Sequence, residues 1–321
     1  MSIDARPVTV TVMIPLYNDR AGVGPCLASV LAQKGGSFEL LEVLVADGGS
    51  TDGSREQVIG IAGTDPRVSI IDNPEKYVPS GLNRCIRAAQ GELIVRVDSH
   101  TVLDDDYIEE SVLASRQSGA DVVGGHMRPE GSSPFGAAVA WALCSRFGVG
   151  GSRFHDESFE GDTDSVYMGV FPRTTFERYG SYDESFVRNQ DDELTYRIRE
   201  MGGRVWLTPR IRSVYTPRND ARGLFAQFRG YGRYKPAVLQ KHPTGLKARH
   251  LAPAVVTVSW ILAPAGLWRR WLALPALLHL VGCTVAAASA GLRGLPRRTL
   301  ALLLMHLGYG LGFLEGTVRR R

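Results

Sequence analysis

The chain has 321 residues, enough for one large α/β domain and an appendage, and its formal net charge of +4 conceals a division. Residues 1–196 carry 16 Lys and Arg against 30 Asp and Glu, whereas residues 197–321 carry 21 against 3. The basic half also holds long apolar runs, so its expected partner is an anionic membrane leaflet and not nucleic acid.

The four cysteines have no CxxC spacing, which indicates neither a disulfide framework nor a zinc site and fits a reducing compartment. Residues 1–7 are polar and the first apolar run is only strand-length, so no secretory leader is expected. Residues 8–14 are almost all β-branched or aliphatic, the pattern of a parallel strand buried on both faces. That strand ends at Pro15-Leu16-Tyr17-Asn18-Asp19, where the chain must turn, and 23–33 reads as a helix. Residues 40–46 make a second buried strand, which runs into Asp47-Gly48-Gly49-Ser50-Thr51-Asp52-Gly53-Ser54. A helix begins near Arg55, with Thr51 or Asp52 as its cap, and the glycines let the backbone approach a ligand. The turn lacks the GxGxxG and GxxxxGK[ST] spacings, which excludes dinucleotide and P-loop sites and with them a Rossmann oxidoreductase. Taken alone, a Gly-rich turn before a helix is usually structural and is weak evidence of a nucleotide site.

Residues 68–71 form a short third strand, followed by Asn73-Pro74-Glu75-Lys76. A helix over 79–90 carries Leu82, Ile86 and Ala89 on one face and is ended by Gly91. This alternation predicts a doubly wound α/β sheet with right-handed crossovers. Residues 93–101 then give an apolar strand that stops abruptly at Asp98-Ser99-His100. Ligands sit outside the carboxyl ends of such strands. A carboxylate and an imidazole one residue apart on an extended chain suit manganese, with magnesium the alternative, while zinc lacks enough ligands. A strand-end turn with a capping Asp is the plainer reading of the same residues.

In their order and spacing, several segments resemble the family-2 inverting glycosyltransferases of the GT-A fold, over about residues 8–240. They are Pro15-Leu16-Tyr17-Asn18, the ADGGSTDGS segment, the helix with Asn83 and Gly91, and Asp98-Ser99-His100. Val166-Tyr167-Met168-Gly169, Phe176-Glu177-Arg178-Tyr179-Gly180 and Asn189-Gln190-Asp191-Asp192-Glu193-Leu194 continue the series. The last block, the Asp-Ser-His triplet and the apolar tail look most like the ExoA-type glycosyltransferases of succinoglycan biosynthesis. The resemblance implies a GT-A doubly wound mixed sheet followed by C-terminal membrane helices. The expected division is a catalytic domain at 1–220, a basic aromatic interfacial segment at 221–250 and membrane helices at 251–321. It also implies a nucleotide-sugar pocket lined by Pro15, Tyr17, Asn18 and Asn83. Asp47 would accept the N–H of uracil, Lys76 would reach the base or the diphosphate, and Asp98 would meet the ribose and the metal. His100 stands where the family usually has the second Asp of Asp-x-Asp. A neutral imidazole still ligates manganese, and a related GalNAc-transferase group has the same pattern.

Transfer from a nucleotide sugar needs a base for the acceptor hydroxyl and a cation for the departing diphosphate. Asn189-Gln190-Asp191-Asp192-Glu193 offers three acids where a helix begins, a place where acids also serve simply to favour the helix dipole. The family's motif is usually Glu-Asp-x-Asp. Aligned with it, Gln190 replaces the Glu, Asp191 becomes the base and Asp192 the fallback. His126, at a turn after a strand at 121–123, is a weaker candidate and reads more simply as a structural histidine. Residues 129–163, rich in Gly, Ser and aromatics, are expected to hold a mobile segment that shapes the acceptor pocket.

Residues 203–217 look like a last strand and its exit. Over 223–239, Phe225, Phe228, Tyr231 and Tyr234 recur at helical spacing with Arg229, Arg233 and Lys235, which fits an interfacial helix on anionic lipid or a packed helix with a charged outer face. The segment Gln227-Phe228-Arg229-Gly230-Tyr231 does not match the Gln-x-x-Arg-Trp of processive synthases, so single-sugar addition is expected. Apolar runs follow at 251–268, 271–292 and 299–314, the middle one of spanning length and the outer two short. Arg269-Arg270, Arg297-Arg298 and Arg319-Arg320-Arg321 would alternate sides across three spans, and no topology makes them all cytoplasmic. Pro253 and Pro264 mark the first run as the candidate for a re-entrant segment. The reading is a metal-dependent glycosyltransferase of the inner membrane with its catalytic domain in the cytoplasm. It would move a sugar, with inversion, from a UDP-sugar to a polyprenyl-diphosphate-linked saccharide in exopolysaccharide synthesis. The rival reading, favoured by Gln190 and His100, is a non-catalytic nucleotide-sugar-binding subunit that scaffolds a membrane polysaccharide assembly.

Overall fold

In a computed structural model, which describes residues 6–151, 153 and 158–318, the first β-branched run forms β1 (Val8–Leu16), with Val10, Val12 and Ile14 fully buried. β2 (Phe38–Asp47) and β4 (Leu93–Arg96) pair with it in parallel on either side, and β3 (Val68–Asp72) pairs in parallel with β2. The connections are α1 (Arg20–Leu31), α2 (Ser54–Ala62) and α3 (Val78–Ala88). Leu16, Asp47 and Asp72 are level in register, so three strands deliver their following loops to one edge. Because β1 has its sequence neighbour on one side and β4 on the other, the strand order reverses at β1. A crevice opens outside the strand ends at such a point.

After β4 come β5 (Thr101–Leu103), α4 (Tyr107–Ser118) and β6 (Val122–Pro129). The chain then forms α5 (Pro134–Cys144) and α6 (Arg146–Val149). It returns through β7 (Gly161–Asp162), β8 (Tyr167–Pro172), α7 (Arg173–Tyr179), α8 (Gln190–Glu200) and β9 (Val205–Tyr215). Among the described residues the nine strands share one sheet in the order β3-β2-β1-β4-β8-β6-β9-β5, with β7 also on β9. β8 runs antiparallel to β4, so the sheet is mixed, and its parallel half is the doubly wound part.

Several expectations are corrected in detail. α3 stops at Ala88, and Gly91 does not end it. A Cβ at Gly91 would lie 2.5 Å from the Thr11 nitrogen and 2.8 Å from the Val10 carbonyl carbon. Gly91 therefore lets the backbone entering β4 pass against β1. β4 ends at Arg96, and Thr101 N–H donates to the Asp98 carbonyl at 2.9 Å, so Asp98 and His100 leave a turn and not an extended strand. His126 lies inside β6, buried, with Nε2 3.3 Å from the Phe159 carbonyl, as a structural histidine would. Within 129–163 the chain is helical at α5 and α6, while residues 152 and 154–157 lie outside the described set.

Contacts divide the chain into two units, Met1–Arg128 with Asp156–Tyr215, and Pro129–His155 with Thr216–Arg321. The second contains α5, α6, α9 (Ala221–Lys241), α10 (Ala248–Leu262), α11 (Leu274–Ala288) and α12 (Leu295–Val318). Three segments are long and apolar enough to cross a membrane: Ala248–Leu267 with 20 residues, Arg270–Ala288 with 19 and Leu295–Val318 with 24. The last is the longest, contrary to the sequence expectation. Pro296 is tolerated in its first turn, and near its end Glu315 is neutralised by Arg229 of α9, whose Nε and Nη2 lie 2.5–3.1 Å from the carboxylate. The first tightens into a 3-10 helix at Ala263–Leu267, where Pro264 falls. Arg319-Arg320-Arg321 lies outside the described residues.

α12 is the spine of this unit. Added Cβ atoms at Gly308, Gly312 and Gly316 would run into the backbone of α9, and one at Gly310 would meet Pro253 and Thr257 of α10. Small residues four apart allow that approach. The aromatic residues Phe225, Phe228, Tyr231 and Tyr234 are half-buried, while Arg222, Arg229 and Arg233 are exposed.

The close passage at Gly91 makes a paired prediction. Gly91→Ala, forced against β1, should cost about 1–3 kcal/mol, read as a lowered thermal midpoint of the full-length protein in detergent. Gly60→Ala, at an exposed position inside α2 with nothing within 4 Å, should raise the midpoint slightly.

Candidate active site

The loops after β1, β2 and β3 are bolted together by their own polar groups. Asn18 takes a left-handed backbone (φ 48°), its N–H donates to Ser50 Oγ at 2.9 Å, and its Oδ1 accepts from Thr51 N–H at 2.8 Å. Arg20 N–H donates to Asp52 Oδ2 at 3.0 Å. Tyr17 is 53% exposed, and its ring lies over Gly48, where an added Cβ would be 3.2 Å from Cδ2 and 3.4 Å from the Lys76 Cα. Pro15 is half-buried opposite Ala46. Tyr17, Asn18, Gly48 and Lys76 thus share one rim, which suits a flat base lying on the Tyr17 ring.

Asp47, at the end of β2, is held by its own loop and by α2. Its side chain has no exposed surface; Oδ1 accepts from Ser50 N–H at 3.1 Å and Oδ2 from Arg55 Nη1 at 2.9 Å. Burial pushes its carboxyl up, but Ser50 and Arg55 outweigh that and hold it below its ordinary range. Arg55 also bridges to Asp72 at 2.8 Å. Asn83, also expected in the pocket, is buried, and both its amide donors are committed: Nδ2 reaches the Tyr182 carbonyl at 2.9 Å and Glu184 Oε1 at 2.8 Å. Its Oδ1 accepts from Tyr182 N–H at 3.0 Å, so Asn83 holds the loop that leads to α8.

At the end of β4, Arg96 turns into the site from a fully buried strand. Its Nε and Nη2 donate to Asp98 Oδ1 at 3.1 and 3.0 Å, and the two side chains are 8% and 15% exposed. Burial works against the guanidinium charge, yet Asp98, with Tyr182 and Asp191 near it, keeps it protonated. Burial likewise pushes Asp98 up, and Arg96 and His100 outweigh it and leave the carboxyl lowered. Beside them Asp19 caps α1 through Gly22 N–H, accepts Ser99 Oγ at 2.6 Å and lies 3.7 Å from His100 Nδ1. The exposed His100 ring packs edge-on to Tyr215 with centroids 5.6 Å apart.

The donor chemistry fits a divalent cation of the manganese or magnesium class. Both Arg96 bonds fall on one oxygen of Asp98, and His100 adds a solvent-facing imidazole. Among the described residues these side chains do not form a three-ligand cluster. Such ions keep open positions for substrate phosphates and water, so the protein need supply only one or two ligands.

α8 brings the third part. Asn189, at the N-cap, is left-handed (φ 60°), and the first turn carries Asp191, Asp192 and Glu193. The three acids have different fates. Glu193 is fully buried and paired with Arg197, whose Nε and Nη2 lie 3.1 and 2.9 Å from it; Arg197 also donates to the Tyr179 and Ser181 carbonyls. Asp191 is half-buried, and burial, then the adjacent Asp192, push its carboxyl above the usual range, with Arg96 pulling it back. Asp192 N–H caps Asp191 Oδ1 at 3.0 Å. Thus Asp98 bonds to the buried Arg96 and Asp191 feels its charge, an arrangement that can hold a proton acceptor beside a cation site.

Sequence reasoning missed Arg96, Asp19, Arg55 and the Glu193–Arg197 clamp. Arg96 was visible as a lone charge inside Leu93-Ile94-Val95-Arg96-Val97, Glu193 and Arg197 as an i,i+4 pair and Asp19 as a capping residue, whereas the pairing of Arg55 with Asp47 and Asp72 has no local signal. Four non-glycine residues among those described have positive φ: Asn18, Lys76, Met168 and Asn189. All four lie in segments singled out from the sequence, and Met168 accepts Asp98 N–H on its sulfur at 3.3 Å. Backbone strain of this kind concentrates at functional sites.

Comparison with known proteins agrees with this geometry. The profile of Glycosyl transferase family 2 matches residues 11–171. The succinoglycan biosynthesis protein ExoA of Rhizobium meliloti (strain 1021) is 34% identical over 284 residues, 84% of each chain. The glycosyltransferase GlyG of Streptococcus pneumoniae serotype 4 is 30% identical over 118 residues, covering 36% of this chain and 38% of that protein. In fold, the chain is similar to the mannosyltransferase PcManGT of Pyrobaculum calidifontis, solved with GDP-Man and Mn2+. There the TM-score is 0.64 at 20% identity, over 99% of this chain and 89% of that one. It is also similar to GalNAc-T7 solved with UDP, GalNAc and Mn2+, with a TM-score of 0.56 at 14% identity over 74% and 48%. With its GT-A sheet and its long match to ExoA, the chain belongs to glycosyl transferase family 2.

Proposed function

We propose that this enzyme is a metal-dependent inverting hexosyltransferase that acts in exopolysaccharide assembly. It transfers a sugar from a UDP-sugar to a polyprenyl-diphosphate-linked saccharide at the cytoplasmic face of the inner membrane. The observation that carries the reading is Asp98 at the carboxyl end of β4, hydrogen-bonded to the buried Arg96 at 3.0–3.1 Å two residues before His100, with the charge of Asp191 felt at both Arg96 and Asp98. The exopolysaccharide role rests on the ExoA likeness, and the membrane acceptor on the three apolar helices and their basic flanks.

In this reading Tyr17, Asn18, Lys76 and the Asp47–Thr51 loop hold the nucleotide, and Asp47 acts by fixing that loop through Ser50 and Arg55. Asp98 and His100 would hold Mn2+ or Mg2+, which when bound neutralises the departing diphosphate as a Lewis acid. Asp191 takes the proton of the acceptor hydroxyl as that oxygen attacks from the face opposite the leaving group. Asn83 and the Glu193–Arg197 clamp hold α8 and its approach loop so that Asp191 keeps its aim. The donor is tested by measuring transfer with Mn2+ across UDP-sugars and GDP-mannose; transfer from GDP-mannose alone would overturn the UDP assignment.

An acceptor hydroxyl is a poor nucleophile at neutral pH, and a positioned base contributes about 10²–10⁴-fold. Asp191→Asn should therefore cut turnover by about that factor with UDP affinity nearly unchanged, while Asp192→Asn does much less. A dead Asp192→Asn beside an active Asp191→Asn would move the base by one residue.

Asp191 acts ionised, so activity should be lost as pH falls through its raised pKa, above the ~3.9 of a free Asp. Because Arg96 lowers that pKa, Arg96→Met should move the acid limb of kcat/KM to higher pH. An unmoved limb would separate Arg96 from the base.

Asp98→Ala should abolish metal-dependent transfer, whereas His100→Asp should retain it and shift the preference from manganese toward magnesium. Full activity of Asp98→Ala in chelator would rule out the metal mechanism.

A further inference from the structure

Sugar transfer uses none of the polar side chains that meet among the three apolar helices. His279 and Cys283 of α11 and His306 of α12 bring three ligand atoms within 4.8 Å of one another, the one such His/Cys/Asp/Glu group among the described residues. His279 and Cys283 are both buried and stand one helical turn apart, on the same face of α11. His279 Nε2 lies 2.9 Å from His306 Nδ1 and 3.3 Å from Cys283 Sγ. Polar and ionisable groups inside spanning helices are costly and mark functional positions.

The protons on these rings can be assigned from their outer partners. His306 Nε2 lies 3.0 Å from the Phe147 carbonyl of α6, so it carries the N–H and leaves Nδ1 as a lone pair facing inward. Metal-bound histidines are oriented by this same back bond to a carbonyl. Trp260 Nε1–H of α10 donates to His279 Nδ1 at 3.0 Å, which puts the His279 proton on Nε2, between the two rings. A hydrogen-bonded clasp of the helices is complete with Trp260, His279, His306 and Phe147. It does not account for Cys283, whose fully buried thiol converges on the same point.

We propose that His279 Nε2, His306 Nδ1 and Cys283 Sγ form a second metal site, for a zinc-class divalent ion, that ties α11 to α12. Two imidazoles and one thiolate are a borderline-soft set that selects Zn2+ over Mn2+ or Mg2+. Three ligands leave a fourth position open, and His306 is only half-buried. Binding balances as follows. The Cys283 S–H bond breaks and its proton leaves to solvent, while its electron pair forms the S–metal bond. His279 shifts its proton from Nε2 to Nδ1 and stays neutral, and His306 already presents a lone pair. One proton is therefore released per ion. The new Nδ1–H then opposes the indole N–H, so the Trp260 side chain must turn away.

The test uses the full-length protein in detergent, stripped with chelator and titrated with Co2+ alone and with Zn2+ alone. We expect one equivalent bound with a near-ultraviolet thiolate-to-Co2+ band, which the Asp98–His100 site cannot give. Zn2+ should displace the band and release one proton per ion in weak buffer. Cys283→Ser and Cys283→Ala, two replacements with different packing demands, should each abolish both signals. His306→Ala should loosen binding by at least about tenfold. Trp260→Phe removes the donor that opposes the metal-bound tautomer and should bind at least as tightly as the wild type. The proposal is overturned by a wild-type protein with no thiolate band, by a band that survives both Cys283 replacements, or by looser binding in Trp260→Phe.

Discussion

A guanidinium with almost no solvent governs the first unit. Arg96 ends a strand whose four residues are all buried, so its charge must be compensated inside the protein or the strand could not close against β1 and β8. Asp98 supplies the hydrogen-bonded compensation, and Asp191 and Tyr182 add their fields. The dependence is mutual, since the carboxylates crowd one region and would each disfavour ionisation of the other without the cation. Removing one partner of such a cluster is far more damaging than never having had it, because the remaining charge stays buried. The same compensation leaves Asp98 ionised, and restrains an Asp191 that burial and Asp192 would otherwise drive higher.

Around this charge cluster the chain is held stiff by short polar bolts. The Asn18–Ser50–Thr51 bonds, the Asp47–Arg55–Asp72 chain and the Asp19–Ser99 bond each join loops from different strands. Asn83 and Arg197 grip the 179–184 loop from two sides. Positive φ at Asn18 is tolerated because the Ser50 and Thr51 bonds over-determine its backbone. In the second unit stiffness has another source. The glycines of α12 bring α9 and α10 to backbone contact, so close packing joins the hydrogen bonds between helices there.

The parallel half of the sheet was legible in the sequence because its strands are buried on both faces and read as unbroken apolar runs. Val8 to Ile14 and Leu40 to Ala46 are such runs, and both lie inside the strands found. The antiparallel half was less so. β5 is three residues long and β7 two, and their pairing with β9 is a tertiary fact. Gly91 was read as a helix stop because glycine usually serves that way; only the packing shows that it is needed for clearance from Thr11. Asp47 and Asn83 were picked out by motif, yet what a motif position does depends on its partners. Arg55 and the Tyr182 backbone lie 8 and 99 positions away. The His279–Cys283–His306 cluster escaped the cysteine spacing rule because its members come from two helices that only folding brings together.

The central claim is that Asp98 and His100 hold the cation that meets the donor's diphosphate. Pulsed EPR of Mn2+ bound to the full-length protein with UDP tests it most directly, since it reads the nuclei coupled to the ion. The account predicts a 31P coupling from UDP together with one imidazole 14N coupling, the nitrogen signal vanishing in His100→Asp while the phosphorus signal remains. A UDP-dependent Mn2+ signal with no nitrogen coupling in the wild-type protein, or with nitrogen coupling unchanged in His100→Asp, would contradict it.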